Sequence, residues 1–176
     1  SDAGMPLISD PGYTLVQACI ENDIYMTTIP GPTAFVSALV LSGFPSHHFN
    51  FLGFFPEKNK DKELALQVQQ TFQGTSIFYE SPHRLLKTLQ FLSQEVPTQE
   101  ICVARELTKL HETIHRGTPQ ELLAHFESQA PRGEMVLLFA PRPLQTQNVD
   151  AILKESIRTM GLKEAVLHVT KAYKMP

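Results

Sequence analysis

Between residues 46 and 140 the chain alternates short β-type runs with stretches of helical periodicity, and that alternation confines it to an α/β fold. Ser46 to Phe55 alternates around Phe49, Phe51 and Phe54 and reads as a strand. Lys62 to Phe72 then follows as an amphipathic helix, Thr75 to Tyr79 as a strand, and Arg84 to Gln94 as a helix. Ile101 to Ala104 and Glu112 to Arg116 are strand-like, and Met135 to Ala140 reads as a buried strand. Between them, Thr118 to Glu127 is a helix whose first turn is written in Thr-Pro: the hydroxyl caps and the proline fits the first helical position. The expectation is a mixed sheet with helices packed on it.

Ahead of that region the texture differs. The first twelve residues, Ser-Asp-Ala-Gly-Met-Pro-Leu-Ile-Ser-Asp-Pro-Gly, form a loop rich in glycine, proline and aspartate, followed by a helix from about Gly12 to Glu21. In open α/β proteins such loops bind ligands where they leave a strand and enter a helix, and here the helix alone is present. The expectation is that the chain has lost its N-terminal part. Ile24 to Ile29 reads as a further strand closed by Pro30-Gly31-Pro32, with Thr33 as cap of a small-residue helix running to Gly43. A domain boundary is expected at 43/44, giving residues 1–43 as the end of one α/β domain and 44–142 as a second. Residues 143–176 are expected as a polar linker and two helices, Val149 to Thr159 and Leu162 to Tyr173, with apolar stripes that include Ile152, Ile157, Ala165, Val166 and Val169.

Composition narrows the function classes. With 42% hydrophobic and 19% charged residues the chain can bury a core, and its longest apolar stretches fall well short of a membrane span. No charged-then-apolar leader opens it, so a cytoplasmic location is expected. A net charge of −3 argues against gripping nucleic acid over the whole surface, because phosphate contacts call for a basic face. Local basic groups remain at Lys58, Lys60 and Lys62, at His83, Arg84 and Lys87, and at Arg105 and Lys109. Cys19 and Cys102 form no C-x-x-C pair, and His111 and His115 lack the H-E-x-x-H order of a zinc helix; no metal is expected.

Three loops combine small residues with polar ones: Asp2-Ala3-Gly4 with Asp10-Pro11-Gly12, Pro30-Gly31-Pro32-Thr33-Ala34, and Tyr79-Glu80-Ser81-Pro82-His83-Arg84. Any one of them is what a turn alone would require. Together they point to a small-molecule cleft, because small residues let a ligand approach backbone N–H and C=O groups. A fourth segment, Ala104-Arg105-Glu106-Leu107-Thr108-Lys109, leaves a strand with two cations and an anion. It reads either as a surface ion-pair loop or as a polar rim able to hold phosphate or orient a hydroxyl. No nucleophile elbow surrounds Ser81.

The same segments, with Ile-Pro-Gly-Pro, Phe-Tyr-Glu-Ser-Pro-His-Arg and Gly-Glu-Met-Val, resemble the tetrapyrrole methylase superfamily from Ser1 to about Ala140. Within it they resemble the branch that methylates small-subunit ribosomal RNA. The resemblance implies a two-domain α/β methyltransferase, usually a homodimer, using S-adenosylmethionine bound between the domains. It implies cofactor contacts at the positions of Asp2, Ala3, Gly4, Leu7, Thr33, Ala34, Tyr79, Glu80 and Leu107. For the branch it implies a cytidine ribose 2′-hydroxyl of 16S rRNA as acceptor. Arg84 and Arg105 are expected on the substrate side, and Lys109, Glu106 and Glu80 are the candidates for taking the hydroxyl proton. Met5 stands where the branch usually has threonine, which removes a hydroxyl beside the cofactor loop. Two other functions stay open: methylation of a precorrin-like ring, and a non-catalytic RNA- or ribosome-binding relative.

Overall fold

The computed structural model describes residues 4–142, 154, 156–158, 160–162 and 164–166. The chain divides into two compact units, Ser1–Pro141 and Arg142–Pro176. The first unit opens with helices α1 (Tyr13–Glu21) and α2 (Ala34–Ser42). There follow β1 (Phe49–Phe54), α3 (Asn59–Thr71), β2 (Thr75–Glu80), α4 (Pro82–Glu95) and β3 (Ile101–Arg105). It closes with β4 (Thr113–Gly117), α5 (Pro119–Ser128) and β5 (Met135–Phe139).

The strands form one mixed sheet in the order β1-β2-β5-β3-β4. Only β1 and β2 run parallel; β5 inserts antiparallel between β2 and β3, and β4 closes the far edge. The register sets Glu80 opposite Met135, Met135 opposite Arg105 and Arg105 opposite Thr113. The last residues of β2 and β3 and the first of β4 and β5 thus share one end of the sheet. The turn at Ser81 into α4, the loop 106–112 and the residues 133–134 before β5 all lie there.

The sheet is covered on both faces, which is why β2, β3 and β5 read as nearly continuous apolar runs rather than alternating ones. On one face Leu66 of α3, Leu85, Leu89 and Leu92 of α4, and Leu122 and Phe126 of α5 pack against Phe78, Ile101, Val103, Leu137 and Phe139. On the other, Ala38 and Leu39 of α2, with Phe44, cover Ile77, Cys102, Ala104, Val136 and Leu138. Each large side chain so buried contributes about 1.5–3 kcal/mol.

Local chemistry sets the helix starts. Thr118 accepts from the Glu121 amide while the Glu121 carboxylate takes the Thr118 amide, a complete capping box with Pro119 in the first turn. Thr33 occupies the N-cap position of α2 as expected, but its hydroxyl makes no capping bond.

Ile24 to Ile29 departs from the strand expectation: residues 24–33 carry no secondary structure. A strand exists only through a ladder with a neighbour, and no described strand lies alongside this segment. Tyr25 and Ile29 are accordingly 88% and 84% exposed, and α1 buries none of its residues. In the second unit, helical geometry is present at Lys154, 156–158, Leu162 and 164–166, with a break at 160–161. The remaining tail positions named above, Ile152 and Val169 among them, lie outside the described residues. Among the described residues no helix is long and apolar enough to cross a membrane.

Candidate active site

Two loops meet through their backbones near the start of α2. The Met5 amide donates to the Pro32 carbonyl at 3.0 Å, and the Gly31 amide donates to the Met5 sulfur at 3.1 Å. Gly4 has φ 76°, and a Cβ there would sit 2.5 Å from the Pro32 oxygen. Only glycine permits both that backbone conformation and that approach. Leu7 and Ser9 also lie in the left-handed region, at φ 70° and 58°. Non-glycine residues persist there at a cost of about 1 kcal/mol or more, and such outliers cluster at ligand-holding segments. Asp2 and Ala3 lie outside the described residues.

Tyr79, next to the end of β2, joins this region to the sheet. Its hydroxyl is hydrogen-bonded by the backbone of Phe35 in the first turn of α2. Its ring meets those of Phe51 and Phe54 edge-on, at 4.8 and 5.6 Å between centroids, and Phe35 stacks on Phe51 at 4.5 Å. Burial raises the phenol above its ordinary pKa, the Phe35 bond works the other way, and the Glu134 charge adds to the rise. Leu107 packs against the same apolar cluster as Phe35 and Tyr79. Of the residues singled out in the sequence, the fold therefore brings together Tyr79, Leu107 and the α2 start that carries Thr33 and Ala34. The loop containing Gly4 and Leu7 abuts that start.

Glu80 points the other way, because successive residues of a strand face opposite sides of the sheet. It is 3% exposed, and its carboxylate organises the turn into α4. Oε1 accepts from the Ser81 amide at 2.7 Å and from Arg84 Nε at 2.9 Å, while Oε2 accepts from the Thr88 hydroxyl at 2.6 Å. The Arg84 guanidinium is equally committed: it also donates to Glu57 at 2.9 Å and to the Phe55 carbonyl. Burial acts against its charge, but Glu80 and Glu57 outweigh it and raise its pKa. Arg84 thus ties β2, α4 and the segment after β1 into one corner.

The β3–β4 loop makes the third wall. Glu106 and Thr108, on either side of Leu107, have φ 49° and 63°. Glu106 and Glu134 are locked reciprocally: each amide donates to the other residue, at 3.0 Å to the Glu134 carbonyl and 2.8 Å to the Glu106 carboxylate. Lys109 Nζ bridges both carboxylates, at 3.1 Å to Glu106 and 2.9 Å to Glu134. The Glu134 amide, followed by Lys109, holds Glu106 below the usual carboxylate range. Glu134 and Glu106 in turn raise Lys109 and keep it an ammonium. Gly133, at φ 82°, is required here, since a Cβ would overlap the Glu106 carboxylate at 2.2 Å. Arg105 turns toward β4, donating to the Thr113 hydroxyl at 3.0 Å and the His111 carbonyl at 3.3 Å.

Glu134, Phe35 and Glu57 were not singled out in the sequence, and Phe51 was read only as a strand residue. Gly133-Glu134 did stand in a quoted motif, and the signal available was a glycine just before a buried strand, which marks a close backbone approach. His115 lies against the His125 ring, tilted by 36° at 4.1 Å between centroids. Among the described residues no group of three or more potential ligands could hold a metal ion.

A mixed sheet with helices on both faces and an aromatic-walled corner at one end of its strands places the chain in the α/β class, and comparison makes the class specific. The chain matches the Tetrapyrrole (Corrin/Porphyrin) Methylases family over residues 1–123, and it belongs to that family. Its relatives include the ribosomal RNA small subunit methyltransferase I of Thermotoga maritima, 42% identical over 140 residues covering 80% of this chain and 63% of that protein. The protein of the same name from Escherichia coli O157:H7 is 42% identical over 175 residues, covering 98% of this chain and 60% of its own length. The chain thus spans about three fifths of the length of these curated relatives. Among solved structures, diphthine synthase aligns with a TM-score of 0.64 at 9% identity, over 84% of this chain and 61% of that one. A uroporphyrin-III C-methyltransferase from Thermus thermophilus, complexed with S-adenosyl homocysteine, aligns at 0.51 and 14% identity over 77% and 62%. At those identities the likeness is one of fold, and it agrees with the mixed sheet described above.

Proposed function

We propose that this chain serves an S-adenosylmethionine-dependent methyl transfer to a cytidine ribose 2′-hydroxyl of 16S rRNA in the small ribosomal subunit. The observation that carries the reading is the convergence of Tyr79, Leu107 and the α2 start on one apolar cluster. It occurs in a chain 42% identical to small-subunit rRNA methyltransferases. What supports cofactor binding at this corner is the close approach that only glycine allows at Gly4, together with the Thr33 hydroxyl at the α2 start, which makes no capping bond. In this reading Asp2, Ala3, Gly4, Leu7, Thr33, Ala34, Tyr79 and Leu107 hold S-adenosylmethionine, with Glu80 bracing the strand end. The bound cofactor supplies an activated methyl group, so the protein's task is alignment and proton removal.

Of the base candidates, Lys109 is held as a cation and Glu80 has both oxygens engaged. We assign to Glu106 the hydrogen bond from the ribose hydroxyl, since among the described residues its Oε2 has no partner. Lys109 and Arg105 face the RNA in this assignment, while Arg84 positions the β2–α4 turn. Residues 1–43 then belong to the cofactor-binding domain and 44–142 to the second domain, and the protein acts in the cytoplasm as a homodimer.

The test is transfer of labelled methyl from S-adenosylmethionine to 30S subunits by the full-length protein that carries this chain. Label in one 2′-O-methylcytidine, with RNA binding that weakens steeply as salt rises, is the expected result. Label in a tetrapyrrole but not in 30S would replace this reading with the porphyrin one. S-adenosylmethionine binding without any transfer would leave a ribosome-binding relative.

A further inference from the structure

The contact between Met5 and Gly31 asks for an explanation of its own. A thioether is a weak acceptor, yet the Gly31 amide lies 3.1 Å from it. The same residue's amide donates to the Pro32 carbonyl at 3.0 Å, so Met5 holds residues 31 and 32 with both its side chain and its main chain. The space between the loops is filled: a Cβ on Gly31 would stand 3.2 Å from the Gly4 carbonyl carbon and 3.4 Å from the Met5 nitrogen. Met5 is half-buried, so a small oxidant can reach it.

We propose that Met5 is a positioning residue that clasps the 4–12 loop to the 30–33 turn, and that oxygen transfer to its sulfur opens the clasp. Hydrogen peroxide delivers one oxygen atom to the thioether; the sulfur loses two electrons and the peroxide leaves as water. An oxygen placed toward Gly31 finds only 3.1 Å between sulfur and nitrogen, where an N–H···O bond alone needs about 2.9 Å, so the loops must separate. The other sulfoxide epimer keeps the gap but leaves an electron-poor sulfur facing the amide.

The effect on cofactor affinity rests on the proposed function, whereas the clasp itself does not, and the experiment reads the two separately. Met5→Leu keeps bulk and removes the acceptor. Calorimetry with S-adenosylhomocysteine on the unmodified chain, on Met5→Leu, and on each after peroxide gives the affinities. Gly31 amide shifts and exchange rates in 15N-labelled samples give the clasp. The loss of one such bond weakens cofactor binding about two- to tenfold. Peroxide produces a comparable loss in the unmodified chain and none in Met5→Leu, although exposed Met26 oxidises in both while Met135 is shielded in the core. Gly31 exchange accelerates in step. Gly31 shifts and exchange that ignore both the substitution and the oxidation overturn the proposal. No cofactor binding, with Gly31 still responding to both, supports the clasp and removes the cofactor reading.

Discussion

Glu80 shows how a single side chain can stand in a functional motif and serve the fold. Its carboxylate is buried and takes three hydrogen bonds, from Ser81, Arg84 and Thr88. Removing it leaves the Ser81 amide and the Thr88 hydroxyl without their acceptor, while Arg84 keeps Glu57 and the Phe55 carbonyl. Glu80→Ala is therefore expected to lower unfolding free energy by about 1–3 kcal/mol, read as a drop in urea midpoint. A change within a few tenths would mean that solvent replaces the carboxylate. Cys102 gives a second residue-scale prediction. It is fully buried as the second residue of β3, and burial pushes its thiol up to about 11. Since the thiolate is the reactive form, native protein at pH 8 should release one equivalent of thiol to a disulfide reagent, from half-buried Cys19, and a second only after denaturation. The strand expected from the sequence ends at Tyr79, and the resemblance sets Tyr79 and Glu80 together on the cofactor, whereas β2 runs on to Glu80 and turns the two to opposite faces; the reciprocal lock of Glu106 and Glu134 was not legible either, because residues 28 apart in sequence meet only through the register of β3 and β5.

Among the elements, those whose apolar period coincided with a buried face were legible, as α4 and β5 show. Leu85, Leu89 and Leu92 repeat at helical spacing and are all fully buried, and every residue of β5 is buried. Ile24 to Ile29 failed for a physical reason: β-type composition describes side chains, while a strand is made by the neighbour that completes its ladder. The packing of α5 on β4 yields a pH prediction. His115 on β4 lies against the tilted ring of His125 of α5, with the Phe126 ring edge-on and the Arg105 charge nearby from β3. Burial, then His125 and Arg105, depress the His115 pKa below its unfolded value. The unfolded chain therefore takes up a proton first as the solution is acidified. The contribution to stability is fully present above the ordinary histidine range and is lost as pH falls through the lower folded value. Thermal melts from pH 7.5 toward 5 should show this loss, and His115→Asn should flatten that part of the profile. An identical slope in the variant would assign the loss to other groups.

For the molecule as a whole, sheet order places its chemistry. Inserting β5 between β2 and β3 brings the Gly133-Glu134 turn between the Tyr79 and Leu107 segments, and α2 covers the face where those two side chains meet. Of the described non-glycine residues with positive φ, Leu7 and Ser9 belong to the loop that abuts the α2 start and Glu106 and Thr108 flank Leu107, leaving Asp23 as the other. The α/β class and the motifs could be read in the sequence, but their meeting on one apolar cluster is a product of topology. Titration of S-adenosylhomocysteine into the 15N-labelled chain reads that meeting out. Amide shifts are expected at Gly4, Met5, Gly31, Ala34, Tyr79 and Leu107, with His115 and His125 on the far side of the sheet unmoved. Saturable binding whose shifts fall on the α5 side, leaving Tyr79 and Leu107 unchanged, would contradict it.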